Sequence, residues 1–322
     1  MLIPRGHVKQ SPVDSIEKHL TIHLAKPGAP AILGEYTVND EWVVFKPLIP
    51  FSGGLKYEVR YLNRTLQLLD IASPDSTEKT TVYDIYPRQD TLPENLLKIY
   101  IRFTQPMQEG VSAEHVVLIK DGRDTLKNVF LDLQPELWNH DGTMLTLWLD
   151  PGRIKRDLQP NLQLGAPLQA GGRYQIFIKP GWQDYLGIES TGTFQKDFVT
   201  VARDSISPDP EKWTFHIPRA NSTHPLRVQL EESLDYSLLQ SALRVIGPDG
   251  QEVPGAIQIR ADESIWQFLP FSPWTKGQHK IEIESRLEDL AGNNLNRLFD
   301  TDLTKPAKAN QQDVHQLSFP VR

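Results

Sequence analysis

The sequence predicts an all-β protein built from tandem β-sandwich modules. Apolar and polar residues alternate with a period of two along much of the chain, which is typical of strands with one buried face and one face toward water. Turn signals that contain Gly and Asp interrupt these runs at short intervals. One stretch also occurs twice in the same register, which indicates a duplicated structural unit.

The alternating runs define the strands, and the turn signals define their ends. Residues 97–103 (Leu-Lys-Ile-Tyr-Ile-Arg-Phe) and 226–230 (Leu-Arg-Val-Gln-Leu) alternate without a break. Asp-Gly pairs follow at 121–122, 141–142 and 249–250. Both residue types suit turns, because Gly adopts positive φ and Asp hydrogen-bonds to nearby backbone.

Helical spacing is confined to two short segments. Residues 112–115 are expected to form a single turn, and the leucines between 234 and 243 one or two turns.

The duplicated stretch begins at Gly172 in one copy and at Gly277 in the other. In both copies an alternating strand follows, and an Asp-x-x-Gly turn begins 12 residues after the glycine, at Asp184 and Asp289. The next aromatic residue comes 7 residues after the second glycine in each copy. Because the register holds through loops as well as strands, the two copies are interpreted as one structural unit used twice.

The repeat divides the chain into modules. We expect one sandwich at residues 83–202, with an insertion near 152–165, and a second at 212–304. A shorter segment, 14–73, lacks the Asp-x-x-Gly turn and is interpreted as a reduced or atypical module. Residues 305–322 are expected to be a tail whose alternating end docks on a sheet edge.

The period of two also predicts the core of each sandwich. Aromatic and branched aliphatic residues are expected on the inward faces, because large apolar side chains are the ones most often buried. The expected core residues are Phe103, Trp148, Tyr174 and Ile176 in residues 83–202, and Trp266, Phe268, Ile281 and Ile283 in residues 212–304.

Several local patterns resemble a known family. They are the proline-led entry at Tyr86-Pro87, a strand that ends in Phe103-Thr-Gln-Pro-Met107, an Asp-Gly turn, the Gly-x-x-Tyr-like strand and the closing Glu288-Asp-Leu-Ala-Gly-Asn293. Together they resemble the bacterial Ig-like domain family of S-layer and other exported proteins, over residues 83–303. The resemblance implies immunoglobulin-like β-sandwiches that serve as spacers, adhesion elements or attachments to enzymes. It supplies no catalytic residues.

Composition excludes several classes of protein. The 322 residues are 39% apolar and 23% charged, which is typical of folded globular protein. A net charge of -7 argues against a general polyanion binder, so no nucleic-acid partner is expected. The chain has no cysteine, which excludes disulfides, thiolate catalysis and zinc ribbons.

We expect a secreted, periplasmic or cell-surface protein. No apolar run approaches the ~20 residues that a membrane span requires. Residues 1–6 lack the long apolar core of a signal peptide, so either the protein is cytosolic or, as we expect, a signal peptide was removed before this sequence begins. The segment 2–7 also resembles a protease-site scar from an expression vector.

Four aromatic residues beside turns are candidates for binding. Trp138, Trp182, Tyr185 and Trp274 stand outside the alternating strands. Exposed aromatic rings can stack on sugar faces or mark interfaces. The alternative, which we favour, is that they cover joints between modules or cap the ends of sandwiches, because tryptophan is usually largely buried.

The Asp-x-x-Gly turns are candidates for calcium. Asp184, Asp289 and Asn293 offer the oxygen ligands that calcium takes. The alternative, which we favour, is a structural turn, since Asp and Asn next to Gly are what turns require. No run matches the acid spacing of a dedicated calcium loop.

The expected function is that of a non-catalytic binding, adhesion or spacer protein. No nucleophile elbow or phosphate-binding glycine loop is present, so no catalytic residue is assigned and no cofactor apart from calcium is considered. The partner would be a protein or glycan of the cell envelope. Two alternatives stay open: a carbohydrate-binding accessory protein that uses the loop aromatics, and a hydrolase with its site at a module interface.

Overall fold

Short antiparallel strands dominate the computed structural model, and its helices are four to six residues long. The all-β class and the tandem immunoglobulin-like sandwiches are therefore confirmed. The structure describes residues 2–5, 8, 16–38, 42–49, 51, 54–62, 64–71, 80–156, 158–300 and 312–322.

The chain divides into two compact units. This division does not follow the predicted module boundaries, which stay a prediction. The first unit comprises Met1–Thr81, Thr104–Gln108 and Pro180–Thr191, and the second comprises Val82–Phe103, Glu109–Lys179 and Gly192–Arg322.

The first unit contains two three-stranded antiparallel sheets that share a core. Its strands are β1 (Leu2–Pro4), β2 (Leu20–Leu24), β3 (Gly34–Val38), β4 (Trp42–Pro47), β5 (Lys56–Tyr61) and β6 (Arg64–Asp70). The strand orders are β1-β4-β3 and β2-β5-β6, and the helix α1 (Ile16–His19) leads directly into β2. Ile22 and Val59 from one sheet and Val43 and Phe45 from the other are fully buried in this core.

The second unit begins with a sandwich of nine strands, here called the middle sandwich. Its strands are β7 (Val82–Tyr86), β8 (Thr91–Pro93), β9 (Lys98–Phe103), β10 (Val116–Lys120), β11 (Asp124–Leu126), β12 (Leu137–Trp138), β13 (Met144–Trp148), β14 (Arg173–Ile178) and β15 (Phe194–Val201). One sheet has the order β12-β13-β9-β7, and the other has the order β11-β10-β14-β15-β8. The β15–β8 pair is parallel and the other pairs are antiparallel.

The helices of the middle sandwich are short, and one of them was predicted. The helix α2 (Ser112–His115) coincides with the predicted single turn. The predicted insertion folds as α3 (Pro151–Ile154) and α4 (Gln159–Leu164). Asp150 caps α3, because its carboxylate accepts a hydrogen bond from the Gly152 N–H at 2.8 Å.

The second unit ends with another sandwich, here called the last sandwich. Its strands are β16 (Thr214–His216), β17 (Leu226–Gln229), β18 (Leu243–Ile246), β19 (Gly255–Arg260), β20 (Ile265–Pro270), β21 (Gly277–Glu284) and β22 (Val314–Val321). The strand orders are β16-β17-β20-β19 and β18-β21-β22. Val228 and Trp266 from the first sheet meet Val245, Ile281 and Phe319 from the second in one core. The helix α5 (Tyr236–Leu239) lies within the predicted leucine segment.

The two copies of the repeat form equivalent inner strands. The strand β14 lies between β10 and β15, and β21 lies between β18 and β22. In β14, Tyr174 is paired with Phe198 of the next strand; at the equivalent place in β21, His279 is paired with Phe319. Both ring pairs stack, with centroids 5.5 Å and 5.6 Å apart. The duplication is therefore structural.

The alternating end of the predicted tail pairs with a sheet edge. All eight residues of β22 pair with β21, and Phe319 and Val321 are buried in the core of the last sandwich. The strand is thus part of that sandwich. Phe299, which the repeat aligns with Phe194, lies outside the strands, and Phe319 takes the place that Phe198 has in the middle sandwich.

The predicted core is confirmed except at Trp148. The other seven side chains that the sequence placed in the core are at most 5% exposed. Trp148 is half-buried on the opposite face of β13, because Leu145, Leu147 and Leu149 take the inward positions. Successive side chains of a strand point to opposite faces, so Trp148 must face away from the core when Leu147 and Leu149 face it.

Phe268→Ala should lower the free energy of unfolding by about 3–5 kcal/mol, because it leaves a cavity in the core. Phe268 is 5% exposed, and its ring packs against those of Trp266 and Trp274. Phe271→Ala is the matched control, since Phe271 is 72% exposed; it should change stability by less than about 0.5 kcal/mol. Denaturant unfolding measures both variants, and equal effects would show that the inward face of β20 is assigned wrongly.

Candidate functional site

A buried ion cluster joins the middle and last sandwiches within the second unit. The Lys98 ammonium, at the start of β9, lies 3.1 Å from the Asp235 carboxylate and 2.7 Å from the Glu288 carboxylate. The Tyr100 hydroxyl donates a hydrogen bond of 2.6 Å to Asp235. The side chains of Lys98 and Asp235 are only 11% and 4% exposed. We call Lys98, Tyr100, Asp235 and Glu288 the joint cluster.

Local structure places each member of the joint cluster. Asp235 is the N-cap of α5, where its other carboxylate oxygen accepts a hydrogen bond from the Leu238 N–H at 2.9 Å. The Asp235 N–H donates to the Glu288 carbonyl at 2.9 Å, so the two acids are held side by side. Lys98 and Tyr100 belong to the face of β9 that alternation assigned to water. The last sandwich covers that face instead.

Electrostatics keep Lys98 charged and Tyr100 protonated, whereas burial raises the pKa of Glu288 against the effect of Lys98. Burial alone would lower the pKa of Lys98, but the Asp235 and Glu288 carboxylates outweigh burial and raise the pKa above its ordinary value. Burial, followed by the charge of Asp235, raises the pKa of the Tyr100 hydroxyl, which therefore stays a donor. A buried lysine is stable only when it is paired, so the cluster fixes which surfaces of the two sandwiches can meet.

Contacts around the cluster extend the joint. The ring of Tyr86 stacks on that of Tyr236 with centroids 3.5 Å apart. The Arg88 N–H donates to the Glu263 carboxylate at 3.0 Å, and the Leu97 N–H donates to the Leu290 carbonyl at 2.9 Å.

Gly292, in the Asp-x-x-Gly turn of the last sandwich, also lies at the joint. A Cβ atom there would come within 2.4 Å of the Leu97 side chain, and the glycine has a φ of +81°. Only glycine meets both conditions without strain.

The two Asp-x-x-Gly turns have the same internal bonding. One carboxylate oxygen of Asp184 accepts hydrogen bonds from the Leu186 and Ile188 N–H groups, both at 2.9 Å. One oxygen of Asp289 accepts from the Ala291 and Asn293 N–H groups at 2.8 and 2.9 Å.

The remaining oxygens have side-chain donors: the Thr80 hydroxyl for Asp184 and the Asn293 amide for Asp289, each at 2.7 Å. These bonds support the turn interpretation.

The structure groups different acids from those that the sequence suggested for calcium. Asp184 lies in the first unit, whereas Asp289 and Asn293 lie in the second, where the Asn293 amide is bonded to Asp289. Carboxylate oxygens of Asp204, Glu232 and Asp289 lie within 4.8 Å of one another. We call these three residues the acidic trio. They come from three separate segments, so sequence spacing gave no signal for the grouping.

The trio can be neutralised by protons or by a cation. Burial, followed by the charges of Asp289 and Asp204, raises the pKa of Glu232 to about 8. Burial raises the pKa of Asp289 to about 7, against the effect of its hydrogen bonds from Asn293. Three oxygens are fewer than the six to eight that calcium takes, so an ion here would need further ligands from backbone or water.

The candidate aromatic residues do not form an exposed platform. Trp182 and Trp274 are 0% and 2% exposed, so neither ring is available as a binding surface. Their indole N–H groups donate to the carbonyls of Gln108 and His224, so each ring is buried with its polar atom satisfied. Trp138 is half-buried and donates to Glu136, and Tyr185 is 48% exposed.

Comparison with known proteins found similar solved structures and no similar family or curated protein. No family model and no curated protein matches the chain. A structure of the S-layer protein SbsC is 12% identical, with 65% of this chain and 24% of that chain covered and a TM-score of 0.27. The chain thus spans about a quarter of that protein. A structure of the N-terminal part of SbsC is also 12% identical, with 65% of this chain and 41% of that chain covered and a TM-score of 0.25.

Two further structures are similar at the same level. Bacteroides ovatus SGBP-B, in complex with a mixed-linkage heptasaccharide, is 12% identical, with coverages of 89% and 57% and a TM-score of 0.19. The four N-terminal Ig domains of Dscam1 are 11% identical, with coverages of 83% and 66% and a TM-score of 0.22. At such scores the similarity says nothing about activity or partner.

Among the residues that the structure describes, no helix has the length and apolar character needed to cross a membrane.

Asp184→Asn should change stability by less than about 0.5 kcal/mol, because the amide oxygen still accepts the turn N–H groups and the Thr80 hydroxyl can accept from the amide. Asp184→Ala should cost at least about 1 kcal/mol, since buried donors lose their acceptor. Thermal unfolding with calcium and with a chelator measures both. A calcium-dependent rise in Tm that Asp184→Asn removes would contradict the turn interpretation.

The acidic trio predicts that stability falls as the pH rises. The folded protein holds protons on Glu232 and Asp289 at a pH where the unfolded chain, with ordinary carboxyl pKa values, has released them. The free energy of unfolding should therefore decrease between the ordinary Glu value of 4.5 and about 8. Glu232→Gln should flatten this decrease in melts recorded with a chelator.

Glu231→Gln is the matched control, because Glu231 is exposed and pairs with Lys212 at 3.1 Å. If both variants kept the full decrease in stability, the trio would not be its source. If calcium restored the Tm of the parent protein above pH 8, a cation would be replacing the protons.

Proposed function

We propose that this chain is a non-catalytic, exported protein of tandem Ig-like sandwiches whose middle and last sandwiches form a rigid spacer segment at the cell envelope. The joint cluster carries the proposal. It places a lysine from one sandwich between two carboxylates of the other, with little access to water. Separating the two sandwiches would break both ion pairs at once and leave three charged groups without partners.

A buried ion pair contributes little net stability but strongly penalises the loss of one partner. Removing one member of such a pair typically costs about 3–5 kcal/mol, because the other charge stays buried and unpaired. The joint is therefore selective for one orientation. A fixed orientation suits a spacer or a scaffold for binding surfaces, whereas a hinge that opened would have to break the cluster.

The loops do not favour the carbohydrate-binding alternative, since Trp182 and Trp274 are buried. The hydrolase alternative has no observation in its favour. The side chains of the joint cluster bond to one another, and none of them forms a nucleophile–base pair.

Spin-label distances test the rigid joint. The chain has no cysteine, so Lys127→Cys and Gln251→Cys give two specific labelling sites, one on each sandwich. Both positions are exposed. We expect a single narrow distance distribution in the parent protein. Lys98→Met should broaden it and lower the Tm, because two carboxylates lose their partner.

Lys276→Met is the matched control, because it removes the same charge at an exposed position of the last sandwich. It should leave the distribution and the Tm unchanged. A broad distribution in the parent protein would contradict a rigid spacer. A narrow distribution that survives Lys98→Met would show that the joint cluster does not hold the orientation.

A further inference from the structure

The outward face of the larger sheet of the last sandwich has an unusual charge pattern. Strands β16, β17, β20 and β19 alternate, so their inward residues form the core and the others face away from it. The ten outward positions include three glutamines, two arginines and one histidine, with no aspartate or glutamate: Thr214, His216, Arg227, Gln229, Ile265, Gln267, Leu269, Ala256, Gln258 and Arg260. A face without acids is unexpected on a chain with a net charge of -7.

A groove runs along one edge of this face. Four exposed basic or imidazole side chains line it: His216, Arg219, His224 and Arg227. Its other lining residues are Ile217, Pro218, Pro225, Gln229 and Ile265, so no carboxylate lies in the groove. Neither Arg219 nor Arg227 forms an ion pair with any residue that the structure describes.

The fold holds the groove in shape. His216 and Arg227 are directly paired across β16 and β17, so their side chains lie next to each other. The loop that carries Arg219 and His224 is fixed by Trp274, whose N–H donates to the Ser222 carbonyl at 2.9 Å and whose indole N–H donates to the His224 carbonyl at 2.8 Å. The Asn221 N–H donates to the Trp274 carbonyl at 2.8 Å. These bonds hold the backbone from which the basic side chains project.

From these observations we propose that this groove and the adjoining glutamine row bind an acidic polysaccharide. Arginine guanidinium groups match carboxylates with two parallel hydrogen bonds. Along the row that crosses the sheet, Arg227 is paired with Gln267, and Gln267 with Gln258. Side-chain amides both donate and accept, which suits the hydroxyl groups of a sugar chain.

An acidic peptide is less well matched. The backbone donors and acceptors of β17 and β20 are used within the sheet, because both strands have neighbours on each side. These two central strands therefore offer side chains alone, and a peptide could add as a strand only at the edge strands β16 and β19. The proposal does not depend on the rigid joint or on the loop tryptophans.

Binding of polygalacturonate to the full chain tests the proposal, with neutral dextran and poly-glutamate as comparison ligands. We expect polygalacturonate to bind, dextran not to bind, and affinity to fall as NaCl rises from about 50 to 300 mM. The double variant Arg219→Gln/Arg227→Gln should weaken binding at least about tenfold, since hydrogen bonds between charged groups are lost. Both arginines are exposed, so the variant should keep the Tm of the parent protein.

Arg123→Gln is the matched control, because it removes the same charge at an exposed turn of the middle sandwich. It should retain affinity within about twofold. The proposal is overturned if polygalacturonate does not bind, or if the double variant binds it as the parent does. Binding of poly-glutamate as tight as that of polygalacturonate would also overturn it, in favour of an acidic peptide or a general polyanion site.

Discussion

The buried ammonium of Lys98 is the constraint on which the arrangement of the second unit depends. Once it leaves water it must be neutralised, and its two carboxylate partners, Asp235 and Glu288, come from separate segments of the last sandwich. The two sandwiches can therefore meet only where both acids reach the lysine. The stacked tyrosines, the bonds around Glu263 and the close approach of the Gly292 turn all occur in that one arrangement.

Sequence predicted the fold well wherever local physics decides it. Alternation and turn chemistry act over a few residues, so the alternating strands, the single turn at Ser112–His115 and the helix in the leucine segment were predicted. The insertion was predicted as well, but its two short helices were not. The register of the last strand was not predictable, because β22 pairs with β21 after a much longer connection than the one between β14 and β15. At Trp148, residue size suggested the core but position on the strand prevailed.

The sites were less predictable because their members are distant in sequence. Lys98 has the polar position of an alternating strand, and sequence alone assigns such a residue to water. Its burial depends on the last sandwich, which begins more than a hundred residues later. The acidic trio is likewise assembled from three segments. Trp274 was singled out for binding, yet it is buried and orders the loop that carries Arg219 and His224.

The repeated turn shows how a copied element can acquire a second task. Gly187 and Gly292 close turns with matching backbone hydrogen bonds and nearly the same φ, yet a Cβ at Gly187 would meet open space. The same substitution at Gly292 would push against Leu97. One copy is thus a simple turn, while the other is also part of an interface and keeps the same backbone bonding. Substitution of Gly292 is therefore restricted by its positive φ and by the close approach of Leu97, whereas substitution of Gly187 is restricted by its positive φ alone. The two copies of the turn will therefore diverge at unequal rates.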